Sequence, residues 1–263
     1  HWFKIWILKN MKIISYNING IRAALKKGFA EWLASSDFDI VCIQETKASP
    51  EQVDISELEV LGYEAYWFSA QKKGYSGVAI FTKIKPINVI HGQDNEKSDF
   101  EGRTLQLEFD NFTLINTYFP SGSSGEIRQA FKYEFLDDYF NFIQSKNDMN
   151  LIVVGDYNIC HRAIDIHNPK GLKNSSGFLP EERAWMDKWF ASNMVDSFRE
   201  ANGDIEDKYS WWSYRANARN NNKGWRIDYI SVSEGLKEKI VSADILSHVK
   251  HSDHCPIIVE MDL

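Results

Sequence analysis

Six apolar runs in this chain lead straight into side chains that bind metal ions or phosphate. Asn17 closes IISYN, Glu45 closes IVCIQE, Tyr118 closes LINTY, and Asp156 closes LIVVGD with Asn158 two residues on. Asp228 ends WRID, and SDH (252–254) stands just before the last apolar run. A single carboxylate at a strand end is usually a turn or helix-capping group. If one edge of a sheet gathers all of them, they form one cleft of acids, amides, a phenol and an imidazole. Asp228 resists the ordinary explanation, because WRIDYI places a charge inside an apolar strand where it needs a histidine, an arginine or a cation beside it. The oxygen-rich set Asn17, Glu45, Asp156, Asn158, Asp228 and Asp253 suits a hard cation, Mg²⁺ with Mn²⁺ as substitute, rather than zinc. His248, His251 and His254 offer a competing metal spacing, but no cysteine accompanies them and Lys250 stands among them. Nor do Ser252, Asp253 and His254 make a serine triad, since adjacent residues cannot orient one another and no G-x-S-x-G elbow exists.

A second constellation occupies 208–226, KYSWWSYRANARNNNKGWR. It holds five cations (Lys208, Arg215, Arg219, Lys223, Arg226) and no acid, interleaved with Tyr209, Trp211, Trp212, Tyr214 and Trp225. Such a mixture suits phosphate contacts beside aromatic surfaces for a sugar or base. The plainer reading makes one tryptophan of the WW pair core and the asparagine-rich stretch a loop. Lys72, Lys73, Lys83 and Lys85 form a smaller basic group, either flanking the same groove or simply solvated.

The elements that must position these residues follow from hydrophobic periodicity. Short β-branched runs at 12–17, 39–45, 77–82, 103–109, 112–119, 151–156, 225–233 and 255–262 read as strands. Helical spacing appears over 21–35 and 126–144, and again from 180–190, where Pro180 opens the first turn and Glu181 and Glu182 suit the N-terminus. Strands grouped in twos and threes with few helices between them predict two mixed sheets packed together and flanked by helices. SYNI (15–18) and DYNI (156–159) form a faint internal echo at two strand ends.

Length and composition set the outer limits. The 263 residues, 43% hydrophobic, are ample for a buried core, while 15 Gly, 6 Pro and 14% aromatics exclude collagenous or wholly disordered classes. Three widely spaced cysteines argue against a disulfide framework and for a reducing compartment. A net charge of −7 excludes bulk electrostatic coating of DNA but not a local basic groove. No run is long enough to cross a bilayer. HWFKIWILKN (1–10) makes a poor signal peptide, and is read as an N-terminal extension or expression remnant ahead of one domain over 11–263. Cytoplasm is the expected location and a monomer the expected state.

The chain resembles the exonuclease III family of apurinic/apyrimidinic endonucleases, within the endonuclease/exonuclease/phosphatase superfamily. The resemblance rests on FDIVCIQETK (38–47), GDYN (155–158), DSFRE (196–200), YSWWSY (209–214), NKGWRIDY (222–229) and SDH (252–254), in order along nearly the whole chain. It implies a four-layered α/β sandwich, two packed mixed β-sheets flanked by helices. It also implies Mg²⁺-dependent hydrolysis of the phosphodiester 5′ to abasic sites in duplex DNA, with 3′→5′ exonuclease activity and cleaning of 3′-blocked ends. Carried over, Glu45 is the principal metal ligand, Asn17 lies beside it, and Asp253 reaches the metal directly or through water. Tyr118 lies near the scissile phosphate, and Asp156 activates water or handles the leaving-group proton. Asn158 orients water and phosphate, and Asp228 pairs with His254, which contacts a phosphate oxygen; Asp156, Asn158 and His254 also border the metal. Trp211, Trp225 and Ile227 wall a pocket for the abasic sugar, and Arg215 stands where relatives carry methionine and is assigned to substrate. Departures are Asn19, an aspartate in some relatives, Glu200 at a commonly basic position, and a loop SGSSGE (121–126) without an inserted arginine. The competing readings are a phosphomonoesterase or phospholipase of the same superfamily, and a catalytically dead nucleic-acid-binding module.

Overall fold

The strands sort into two six-stranded sheets of matching design. The first contains β1 (Met11–Asn17), β2 (Ile40–Gln44), β3 (Glu64–Phe68) and β4 (Val78–Thr82), joined from the end of the chain by β13 (Ile240–Ile245) and β14 (Ile257–Met261). The second contains β5 (Asn88–His91), β6 (Thr104–Glu108), β7 (Thr113–Tyr118), β8 (Leu151–Asp156), β9 (Met194–Asp196) and β12 (Asp228–Ser233). A separate two-stranded ladder pairs β10 (Trp211–Trp212) with β11 (Gly224–Trp225). The helices are α1 (Ile21–Lys26), α2 (Phe29–Ala34), α3 (Ser56–Val60), α4 (Glu96–Phe100), α5 (Glu126–Gln144), α6 (Pro180–Ala191) and α7 (Ser197–Asn202). The computed structural model describes residues 10–263, so the extension expected over 1–10 lies, apart from Asn10, outside the described residues.

Strand order is β13-β14-β1-β2-β4-β3 in one sheet and β9-β12-β8-β7-β6-β5 in the other. Each has a single parallel pair at its centre, β1 with β2 and β7 with β8, and antiparallel neighbours elsewhere. The central strands are apolar without alternation because both faces are covered. Ile13, Ile40, Cys42, Ile152 and Val154 point into the core between the sheets. Ile14, Val41 and Ile43 face the helices beside the first sheet, while Leu151 and Val153 face α5 and α6 with Phe135, Tyr139, Trp185 and Trp189. The expected sandwich of four layers, helix on sheet on sheet on helix, is the observed fold.

Three local expectations change. The helix read over 21–35 breaks at Lys27 and Gly28 into α1 and α2, glycine being a poor residue for a helix interior. The strand read over 225–233 is two strands, since Trp225 pairs with Trp211 in the small ladder and β12 begins only at Asp228. β3, β5 and β13 were not read as strands; their residues are largely half-exposed or exposed, and β5 and β13 lack a continuous apolar run. Cys42, Cys160 and Cys255 are buried free thiols. Among the described residues no helix is long and apolar enough to cross a membrane.

A polar tie crosses the inter-sheet core. Gln44 Nε2 donates to Ser15 Oγ (3.0 Å) and to Asn116 Oδ1 (2.8 Å), and Asn116 Nδ2 donates to the carbonyls of Ile43 and Ala79 (3.1 and 3.0 Å). Buried polar groups with these partners hold one relative placement of the layers, because any slip would strand them without hydrogen bonds. The tie lies one layer below the strand ends that carry the candidate site.

Candidate active site

Parallel pairing brings the C-terminal ends of β1, β2, β7 and β8 to one end of the sandwich, and antiparallel β12 and β14 begin there. Asn17, Glu45, Tyr118, Asp156, Asp228 and His254 therefore meet, although they come from six separate stretches. Glu45, Tyr118, Asp156, Asn158, Trp211, Trp225, Ile227, Asp253 and His254 line one cavity of about 340 Å³ with Ser121, Ser123, Ser176 and Gly177. A larger groove of about 650 Å³ beside Phe100, Ile127 and Phe131 has no comparable convergence of site residues. Arg215 is not brought in; it stays on an exposed turn outside the cavity lining.

Asn17 is the hub on the first sheet. Its Nδ2 donates to Glu45 Oε1 (2.9 Å) and to Asp156 Oδ2 (2.8 Å), and its Oδ1 accepts from the Asn19 amide (3.0 Å). Asp156 repeats that turn on the second sheet, accepting from the Asn158 amide at 2.9 Å. Asn19, Glu45, Lys47 and Asn158 all take left-handed backbone conformations, with φ between 46 and 54°. Strain of this kind at non-glycine residues gathers where the surroundings over-determine the chain.

His254 is fixed from behind. Its Nδ1 lies 2.9 Å from Asp228 Oδ2, which answers the need for a partner at that buried acid. Nε2 faces Asp156 Oδ2 at 3.8 Å, too long for a hydrogen bond. Burial pulls the imidazole pKa down, but Asp228 and Asp156 outweigh it and raise it to about 10. Burial first, then Asp228, pushes the Asp156 carboxyl up to about 7. Burial opposes ionisation of Asp253, yet His254, Trp211 and Asn19 hold it below the usual carboxylate range. The Tyr118 phenol is pushed well up by burial and then by Glu45, and so stays a hydrogen-bond donor. Arg103 stacks over its ring at 4.8 Å and donates to its carbonyl at 2.8 Å.

The oxygens of Glu45 and Asp156 and a nitrogen of His254 lie within 4.8 Å of one another. This cluster fits a divalent cation, with carboxylate oxygens suited to a hard one. Neutral, the His254 imidazole can ligate a cation through Nε2; protonated, it can only donate to an anion. Asp253 takes Asn19 Nδ2 on Oδ1 (3.0 Å) and Trp211 Nε1 on Oδ2 (3.0 Å), joining the acidic wall to the aromatic one.

The basic stretch 208–226 divides. Arg226 is buried, with Nε 2.8 Å from Asp165 and Nη2 2.7 Å from Asp196, so it braces the chain between Trp225 and Ile227. Arg219 donates to the carbonyls of Ser252 and Val249 and stacks on Trp212. Two of the five cations are thus structural, and Trp212 rather than Trp211 is the core tryptophan. Lys83 and Lys85 follow β4 at the end of the sheet remote from the site. Lys47 was missed, though it stands in QETK and pairs with Glu45 at 3.0 Å. Ser121, Ser123, Ser176 and Gly177 were also missed; the first two lie in the SGSSGE loop, noted only for its lack of an arginine, and nothing in the local sequence marks the others.

The profile of the Endonuclease/Exonuclease/phosphatase family matches residues 14–254. The chain is 43% identical over 249 residues to an exodeoxyribonuclease of Bacillus subtilis, covering 94% of this chain and 98% of that one. It is 38% identical over 251 residues to DNA repair nuclease APEX1 of Danio rerio, covering 94% and 81%. Among solved structures, an AP endonuclease from Archaeoglobus fulgidus superposes with a TM-score of 0.87 at 28% identity, covering 96% of this chain and 100% of that one.

Proposed function

This chain belongs to the endonuclease/exonuclease/phosphatase family, and from that premise we propose a DNA-repair nuclease that hydrolyses the phosphodiester 5′ to abasic sites in duplex DNA. The same site removes 3′-terminal nucleotides and cleans blocked 3′ ends. Residues 11–263 act as one catalytic domain, monomeric and cytoplasmic, with Mg²⁺ as the cation and Mn²⁺ as substitute. The observation that carries the reading is the two-sided cavity. Glu45, Asp156 and His254, held from behind by Asp228, form one wall, and Trp211, Trp225 and Ile227 form the other. One wall suits a phosphodiester, the other a sugar without a base.

Phosphodiester hydrolysis needs an activated water, stabilisation of charge on the phosphoryl oxygens and help for the departing 3′-oxygen. Glu45, with Asp156 beside it, would hold the cation, Asn17 fixing both carboxylates and Asp253 standing nearby on the cavity wall. When bound, it supplies Lewis-acid polarisation of a phosphoryl oxygen. Asp156 accepts a proton from the attacking water and passes it to the departing 3′-oxygen, burial having raised its carboxyl pKa. Asn158 orients that water, with its amide pinned to Asp156 and its Nδ2 donating to the Phe119 carbonyl at 2.9 Å. His254, charged and aimed by Asp228, and Tyr118, kept protonated, donate to the developing phosphoryl charge. Extrusion of a nucleotide costs least where pairing is already lost, which favours the abasic site. An intact nucleotide meets Trp225.

A phosphomonoesterase or phospholipase would use the same polar wall but has no need of the aromatic one. The deciding experiment incubates a labelled duplex carrying a tetrahydrofuran abasic analogue with Mg²⁺, with and without EDTA, beside soluble phosphoinositides. Incision of the duplex that EDTA abolishes is the expected outcome. Turnover of the phosphoinositides alone would overturn the reading.

A further inference from the structure

An ion pair with no part in the chemistry lies beneath the cavity. Lys132 on α5 and Glu182 on α6 are both fully buried, with Nζ 2.6 Å from Oε1. Removing two charges from water is costly, and apolar residues of similar volume usually serve stability as well or better. The pair must be explained by what else it holds.

Lys132 Nζ also donates to the carbonyl of Asn158 at 2.8 Å, gripping that left-handed residue from behind. Glu182 Oε2 accepts the amides of Gly177 (2.6 Å) and Leu179 (3.0 Å). Gly177, at φ 93°, lies so close to the pocket wall that a Cβ would stand 3.1 Å from both Trp225 Cζ3 and the Asn158 oxygen. Gln129 Nε2 donates to Glu182 Oε1 at 3.1 Å, while its Oε1 accepts from Ser176 Oγ at 2.6 Å. Gly122, between the lining residues Ser121 and Ser123, packs so tightly on Gln129 that a Cβ would fall 1.9 Å from Oε1. One buried cluster therefore grips Asn158 on the catalytic side and both lips, 121–123 and 176–177, on the sugar side.

We propose that the Lys132–Glu182 pair, extended by Gln129, is a positioning device that sets substrate specificity. It holds the two lips at the spacing that admits a bare sugar and turns away one carrying a base. None of the three touches a reacting atom; they act through Asn158, Gly177 and Ser176. This inference rests on the nuclease reading above.

The test is the double variant Lys132→Met/Glu182→Leu, which keeps the buried volume and removes both charges. For variant and wild type, kcat/KM is measured on a tetrahydrofuran-containing duplex and for removal of an ordinary 3′-terminal nucleotide, alongside thermal unfolding. The abasic-to-intact ratio is expected to fall about tenfold, the scale on which pocket fit discriminates substrates, with Tm lowered because the backbone groups of Asn158, Gly177 and Leu179 lose their partners. An unchanged ratio, however far both rates drop, overturns the inference, because a purely structural defect lowers both activities alike. Should the double variant fail to fold, Gln129→Ala at a half-buried position carries the test. Its ratio is expected to fall in the same direction by a smaller factor, and an unchanged ratio again overturns the proposal. A wild-type protein that leaves the abasic duplex intact strikes the nuclease reading itself; wild-type incision with an unchanged ratio strikes this inference alone.

Discussion

The two sheets end in the same turn with different charge. On the first, Asn17 Oδ1 accepts the amide of Asn19 and that asparagine is left-handed; on the second, Asp156 Oδ1 accepts the amide of Asn158, which is left-handed too. The flanking strands correspond, with β14 and β2 around β1 as β12 and β7 surround β8. His254 before β14 answers Asp228 at the start of β12, and the two side chains pair. The echo of SYNI with DYNI is therefore not the structural correspondence, since the turns match 17–19 with 156–158. What separates the halves is chemistry at one position. An amide both donates and accepts, so Asn17 can bind Glu45 and Asp156 at once. A carboxylate only accepts, so Asp156 keeps capacity for a cation or a proton. The geometry is shared; the catalytic task falls to the charged copy.

Making the copies alike in charge should have the largest effect. Asp156→Asn retains the turn but removes the proton acceptor, and turnover on an abasic duplex is expected to fall about 10²–10⁴-fold. Near-wild-type turnover in the folded variant would remove Asp156 from that role. The β10–β11 ladder belongs to neither sheet; Trp211 bridges to His254 and Trp225 to Ile166. Trp225→Ala strips this wall, and abasic-duplex affinity should weaken by about 1.5–3 kcal/mol, the scale of burying a large apolar side chain. Titration binding that finds no change would make the ladder decorative.

The brace behind that wall is testable through pH. Burial alone would raise the Asp165 pKa, but Arg226 and Arg199 hold it at about 2. A depressed folded pKa contributes stability above the unfolded value near 3.8, and that contribution is lost as pH falls towards 2. The size is roughly 2–3 kcal/mol. Urea unfolding from pH 6 to pH 2 should show the wild type losing this increment while Asp165→Asn, already weaker at pH 6, loses less. Parallel curves would deny the brace its charge. The smallest effect belongs to Arg215, outside the cavity but beside the ladder. Arg215→Ala should lower the salt slope of duplex binding by about 1 with no change in abasic discrimination; an unchanged slope means that it does not contact the backbone.

Much of the fold was legible because central strands of a covered sheet are apolar throughout and stop abruptly. β8 and α5 have the bounds expected from periodicity alone. β3, β5 and β13 escaped because edge strands take exposed side chains and acquire their identity from a neighbour's hydrogen bonds. Of the site, strand-end polar residues stood out as groups, and Asp228 as a charge requiring a partner. The basic stretch misled in part, since Arg219 and Arg226 look like any other cations in sequence and only packing set them against Trp212, Asp165 and Asp196.

Residue type and position along the chain settled which side chains carry chemistry, because hydrophobic runs and the polar groups that interrupt them are local properties. Which of them meet was decided in three dimensions. The Asn17–Asp156 contact spans 139 residues, and the Asn158–Lys132–Glu182–Gly177 chain joins two helices to two loops with no local signal. Such contacts form only when two sheets pack in one register, and that register is the property of the whole core.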